Sequence, residues 1–177
     1  MSDKAKKEFL SWIKTIVLAV IIALFVDYVV IVNATVPTGS MKNTIMEGDR
    51  VIALRFSYLF NDPQRGDVVI FEYPDAPEGE KILYVKRIIG LPGETVEVKD
   101  GGVYINGSDT PLEEDYIREK PIGEFGPYEV PEDSYFMMGD NRNDSQDSRY
   151  WVDKYVEKDE ILGKVVFKYY KKPGLIK

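Results

Sequence analysis

From Thr15 to Val32 the chain reads TIVLAVIIALFVDYVVIV, with Asp27 its one charged residue. With Trp12 and Ile13 ahead of it, the run approaches the roughly 20 residues that a helix needs to cross the hydrocarbon of a bilayer. We read one transmembrane helix over residues 12–32, a cytoplasmic tail over 1–11 and a single domain over 33–177. Lys4, Lys6, Lys7 and Lys14 sit at the front of the run and acidic composition follows it. The positive-inside rule therefore puts the N-terminus in the cytoplasm and the remaining chain outside the plasma membrane. A cleaved secretory signal shares this order of basic residues, apolar run and small residues (Asn33-Ala34-Thr35). Here the run is too long, and no good small-x-small cleavage site follows it. Asp27 is costly inside lipid but lies near the outer end of the span, and the sequence gives it no role.

Two absences narrow the chemistry. The 177 residues contain no cysteine and no histidine. Disulfides, thiolate metal sites and a cysteine nucleophile are thereby excluded, as is any Ser-His-Asp triad. A hydrolase built from this chain has only Lys, Asp, Glu or Tyr as its base. A net charge of −7 gives no basic footprint for nucleic acid.

Beyond Val32 the periodicity changes from helical to alternating. Residues 49–54, 67–71, 82–89, 134–138 and 164–170 are rich in β-branched and aromatic residues and read as strands. Thr95–Lys99 and Val103–Ile105 flank Asp100-Gly101-Gly102 and read as a hairpin. The acidic stretch from Asn106 to Pro131 has four prolines and reads as loop with at most short strands, and residues 153–160 as a short helical turn or loop. The fold class is mainly β: one N-terminal transmembrane α-helix, then an antiparallel β-sheet domain of sandwich or barrel type.

Three stretches stand out. In Val36-Pro37-Thr38-Gly39-Ser40-Met41 the proline and glycine can hold Ser40 at a sharp bend, which suits a nucleophile and equally an ordinary turn. In Tyr84-Val85-Lys86-Arg87-Ile88-Ile89, alternation puts Lys86 on the face of Tyr84 and Ile88. Such a lysine either snorkels to solvent or is buried, and burial lowers its pKa until the neutral amine is a base. The third is the polar loop Gly139-Asp140-Asn141-Arg142-Asn143-Asp144-Ser145-Gln146-Asp147-Ser148-Arg149. It is not a calcium loop, because Arg142 takes the third position, Ser145 the glycine position, and no Glu the twelfth. Ser145, Asp147 and Arg149 alternate and can point the same way.

Taken in order, Pro37–Met41, Gly48-Asp49-Arg50-Val51, Tyr84–Gly93 and Gly139–Arg142 through Asp147–Arg149 resemble the motifs of bacterial type I signal peptidases, the S26-type family. Relatives in the endoplasmic reticulum carry His where this chain has Lys86, so the resemblance points to the bacterial branch. It implies a β-domain of signal-peptidase type and a Ser-Lys dyad, with Ser40 the nucleophile and Lys86 the general base. It further implies that Thr38 and the Ser40 N–H bind the oxyanion, that Ser145 hydrogen-bonds the Lys86 amine, and that Asp147 and Arg149 brace the loop. Met41, Tyr84 and Val85 would wall a pocket for small residues, usually Ala, at the first and third positions before the cut. The substrates would be preproteins with signal peptides, the surroundings membrane lipid, and no metal or organic cofactor is called for. Asn43 stands where the family usually has Pro, and Asp144 where Asn is common. A non-catalytic scaffold of the same fold is the alternative, and the presence of both Ser40 and Lys86 argues against it.

Overall fold

The computed structural model describes residues 3–176. Helix α1 spans Asp3–Phe25, a single π-helical turn covers Val26–Val30, and strand β1 follows at Ile31–Thr35. The helix thus begins well before the apolar run, because the Lys, Glu and Ala residues ahead of it are good helix formers and nothing breaks them. It also stops sooner than expected. Ile31 and Val32 pair with Leu54 and Ala53 rather than extending the helix, as suits a β-branched run offered a partner strand. Residues 1 and 2 of the expected tail lie outside the described residues. Residues 6–29 are exposed throughout, and Lys6–Val30 is long and apolar enough to cross a membrane.

The rest is mainly β. Strands β2 (Arg50–Leu54), β3 (Val68–Glu72) and β4 (Leu83–Gly90) come first, followed by β5 (Thr95–Lys99), β6 (Gly102–Ile105), β7 (Phe125–Glu129) and β8 (Ser134–Met138). The chain ends with β9 (Tyr155–Glu157), β10 (Ile161–Lys168) and β11 (Gly174–Leu175). A large antiparallel sheet runs β1-β2-β10-β3-β4-β8-β9, with β11 on β10, and a small one runs β6-β5-β7. The expected hairpin is β5–β6, paired from Val96↔Ile105 to Lys99↔Gly102. Strand β7, five residues long, lies in the stretch read as loop with at most short strands. Residues 153–160 hold β9 and a 3₁₀ turn whose Glu157 and Glu160 form a reciprocal capping box.

The large sheet is buried on both faces at its centre, which is why β3 reads as an unbroken apolar run. Val68 and Ile70 pack with Val51, Ala53, Met41 and Ile45 on one face. Val69 and Phe71 pack with Ile88, Tyr135, Met137 and Trp151 on the other. A third cluster, Ile89, Val96, Val98, Val130, Phe136 and Met138, glues the small sheet to the large one. Gly90 sits at that seam as the last residue of β4. A Cβ there would lie 2.6 Å from Val96 Cγ2 and 2.9 Å from Phe136 Cβ, so the close approach requires glycine.

Because residues 6–29 are exposed throughout, removing residues 1–30 is expected to move the Tm of the β-domain by no more than about 2 °C. Removing residues 1–35 also deletes the β1 ladder and the buried Val32. At roughly 1.5–3 kcal/mol for one buried valine and 2–4 °C per kcal/mol, that Tm should drop by more than about 5 °C. Thermal unfolding followed by circular dichroism checks both.

Candidate active site

Three segments converge on one cavity of about 610 Å³: the loop after β1, the first half of β4 and the loop after β8. The first loop is pinned at its base, where Val36 N donates to Asp49 O (2.9 Å) and Gly48 N to Val36 O (2.8 Å). Met41 and Ile45 plug it into the core with no exposed surface. Met41 therefore does not line the cavity, contrary to expectation, because its side chain is used to seat the loop. Between these anchors Lys42 N donates to Gly39 O (3.0 Å), which closes a tight turn around Ser40. Ser40 is 7% exposed, and its Oγ lies 3.4 Å from the Thr38 hydroxyl.

Lys86 sits in β4 opposite Val69 and is 4% exposed. Its Nζ lies 5.6 Å from the centre of the Tyr84 ring. Loss of hydration pushes the amine down from its ordinary 10.5 to about 8. Asp147 pulls it back up, Arg149 pushes it further down, and Asp140 pulls it up. Thr38, Ser40, Tyr84, Val85, Lys86 and Ser145 all line the cavity, with Ile70, Ile82 and Leu83 making its apolar wall. Asp147 and Arg149 lie behind it.

Ser145 differs from expectation in one respect. Its buried Oγ has no hydrogen-bond partner, so the bond to Lys86 is not formed. It packs instead against Gly139, where a Cβ would come within 2.3 Å of Ser145 Oγ and 2.5 Å of Ser40 O. The structure thus brings Ser40, Lys86 and Ser145 to one cavity without closing a hydrogen bond among the three.

Backbone and buried ion pairs hold these segments together. Asn141 N donates to Ser40 O and Asn141 Nδ2 to Gly39 O, both at 3.0 Å. Asp147 takes two bonds from Arg149 at 2.8 Å and one from Gly139 N at 3.0 Å, so the expected bracing pair is present. Two further pairs were not legible in the sequence. Arg87 forks onto Asp140 with both bonds at 2.8 Å, and Arg142 forks onto Glu114 at 2.6 and 2.7 Å. The loop motif contains Asp140 and Arg142, but only the fold matches them to Arg87 and Glu114. Among the described residues, no group of three or more acidic side chains is arranged to hold a metal.

The description of the matching family is signal peptidase, peptidase S26, and the match covers residues 9–170. The chain belongs to that family. It is 42% identical over 171 residues to the signal peptidase I of Leptolyngbya laminosa, covering 94% of this chain and 82% of that protein. It is 38% identical over 176 residues to signal peptidase I S of Bacillus subtilis strain 168, covering 93% and 91%. A solved signal peptidase I from Enterococcus faecalis V583 is 36% identical, with a TM-score of 0.49 over 59% of this chain and 97% of that one. The chain is thus an enzyme, a serine peptidase of the signal peptidase I kind.

Two outcomes follow from the geometry. Gly139→Ala forces Ser145 and the Ser40 carbonyl apart, so peptidase activity should fall at least tenfold while circular dichroism still reports a β-domain. Lys86→Met removes a buried amine whose folded-state pKa lies below its unfolded value. Between about pH 8 and 10.5 the unfolded chain binds more protons, so parent stability rises across that window and is lowest below it. The variant should therefore be more stable than the parent at pH 7 by about 1–3 kcal/mol in urea, with the gap closing above pH 10.

Proposed function

We propose that this chain is a membrane-anchored serine endopeptidase that removes N-terminal signal peptides from exported preproteins, with Ser40 as nucleophile and Lys86 as general base. The observation that carries the proposal is the amine of Lys86, dehydrated and lowered to about 8, on the cavity that Ser40 also lines. At pH 7 about a tenth of such an amine is neutral, against about one part in three thousand at 10.5. A neutral amine can accept a proton, and an ammonium cannot.

In the proposed cycle Ser40 Oγ gives its proton to the Lys86 Nζ lone pair and attacks the scissile carbonyl carbon. The negative charge that develops on the carbonyl oxygen is met by the Ser40 N–H and the Thr38 hydroxyl. Each such donor is worth about 10²–10³ in turnover. As the C–N bond breaks, the Lys86 ammonium returns a proton to the departing amine. Water then attacks the ester, with Lys86 again taking the proton and Ser40 leaving as the alcohol. Catalytic hydrogen bonds commonly tighten only when substrate shapes the site. Ser145 is suited to orient the amine, having a buried hydroxyl with no other partner, and Asp147 with Arg149 braces its loop.

Tyr84 and Val85, which line the cavity beside its apolar wall, suit small side chains at the first and third positions before the cut. The helix of residues 6–30 serves as a single-pass anchor in the plasma membrane, N-terminus cytoplasmic, so substrate and enzyme meet in two dimensions with the cut site at the height of the cavity.

With a purified preprotein, Ser40→Ala and Lys86→Ala should each lower kcat/KM by at least about 10³. Parent kcat/KM should rise with pH to a plateau with a midpoint near 8 and be indifferent to a metal chelator. Undiminished cleavage by Lys86→Ala would refute the dyad.

A further inference from the structure

The connection between β6 and β7 is more than a link. Residues 106–124 leave the small sheet and are fastened to both loops that border the cavity. From the Ser40 loop, Asn43 Nδ2 donates to Tyr116 O at 2.6 Å. From the loop after β8, Asn143 Oδ1 accepts from Ile122 N at 2.9 Å and Asn143 Nδ2 donates to Lys120 O at 3.1 Å. Between these ties, Glu114 accepts the fork of Arg142, and the Tyr116 hydroxyl donates to Glu114 Oε1 at 2.7 Å. The Tyr116 ring covers the guanidinium of Arg87, with Cζ 3.9 Å from its centre, and Arg142 Cζ lies 5.9 Å away.

Arg87 is the residue after Lys86, and its guanidinium is fixed on one edge by Asp140 and on one face by Tyr116. Thr44, next to Asn43, also donates to Asp140. Asn43 has a φ of 97°, a conformation that asparagine tolerates better than most residues and that a proline ring forbids. The strap therefore adds a tie to the Ser40 loop at the residue with its most unusual backbone shape. Tyr116 does not line the cavity, so it acts through the groups it touches.

We infer that Tyr116, backed by Glu114 and tied to Asn43, is a positioning device that sets the Ser40 loop against the strand carrying Lys86. The inference rests on the Ser40–Lys86 reading above. A misplacement of about 1 Å between reacting groups can cost on the order of 10² in rate, so the strap should appear in kcat rather than in KM. It should also appear in the pH profile. The charged groups facing Lys86 are Asp147, Arg149 and Asp140, and loosening Arg87 leaves the charge of Asp140 less compensated.

The test is steady-state cleavage of a preprotein by the full chain in detergent, with Asn43→Gly, Tyr116→Phe, Tyr116→Leu and, as a control, Lys86→Ala. Asn43 is exposed and glycine accepts its φ, so Asn43→Gly should keep its Tm while kcat falls about three- to tenfold and KM stays within about twofold. Tyr116→Leu should lose about 10–100-fold in kcat and move the midpoint of the pH profile upward by about 0.3 unit or more. Tyr116→Phe, which keeps the ring over Arg87, should recover kcat to within about threefold of the parent. A parental kcat and pH profile in Asn43→Gly would overturn the inference even if Tyr116→Leu failed to fold. Equal losses in the Phe and Leu variants, or a loss confined to KM, would overturn it too. Undiminished cleavage by Lys86→Ala would instead remove the underlying dyad, and the strap's role with it.

Discussion

An ammonium taken out of water is costly unless a counter-charge meets it, and in this fold the acids nearest Lys86 are themselves paired with arginines. Asp147 is the acid that most raises the Lys86 amine. Arg149, which forks onto both its carboxylate oxygens at 2.8 Å, pushes the amine the other way. Asp140 is engaged in the same way by Arg87. Dehydration is then the largest influence left on the lysine, and its direction is downward. The balance leaves the amine at about 8, which is what the proposed proton transfers with Ser40 require.

Buried ion pairs of this kind also fasten the loops from which the site is made. Arg87, Arg142 and Arg149 are at most 3% exposed, and each forks onto one carboxylate. Removing one member of such a pair leaves a buried charge and costs about 3–5 kcal/mol. That is a large share of the 5–15 kcal/mol that typically separates folded from unfolded chains. The site and the stability of the domain are therefore joined, with the small sheet contributing Glu114 through its long connection. Apolar contact does the remaining work, seating Met41 and Ile45 beneath Ser40 and closing the seam between the sheets at Gly90.

Much of this was legible in the sequence, wherever the signal was local. The apolar run announced a helix, and alternation announced the β-domain and the β5–β6 hairpin, whereas Ser40 and Lys86 were joined into one site only by the resemblance of their motifs to those of a known family. The misses share one cause, since each depends on partners distant in the chain. Hydropathy marked a long apolar helix but not where the helical ladder ends, which was decided by β2 pairing with Ile31 and Val32. Met41 follows Ser40 and looked like pocket wall, yet the core claimed it. Ser145 alternates correctly, yet its hydroxyl packs on Gly139. Glu114 and Tyr116 sat in an acidic, proline-rich stretch that looked solvated, and nothing near them in sequence announced three buried arginines.

The account turns on the charge of one nitrogen, and that charge can be read without any substrate. With lysines labelled at the ε carbon and the Lys86 resonance assigned by comparison with Lys86→Met, the chemical shift can be followed from pH 6 to 11 by NMR. The account requires a midpoint near 8, well separated from those of the exposed lysines. A midpoint at or above about 10 would mean that the amine is a solvated or salt-bridged ammonium at neutral pH, and the proposed chemistry would have no base.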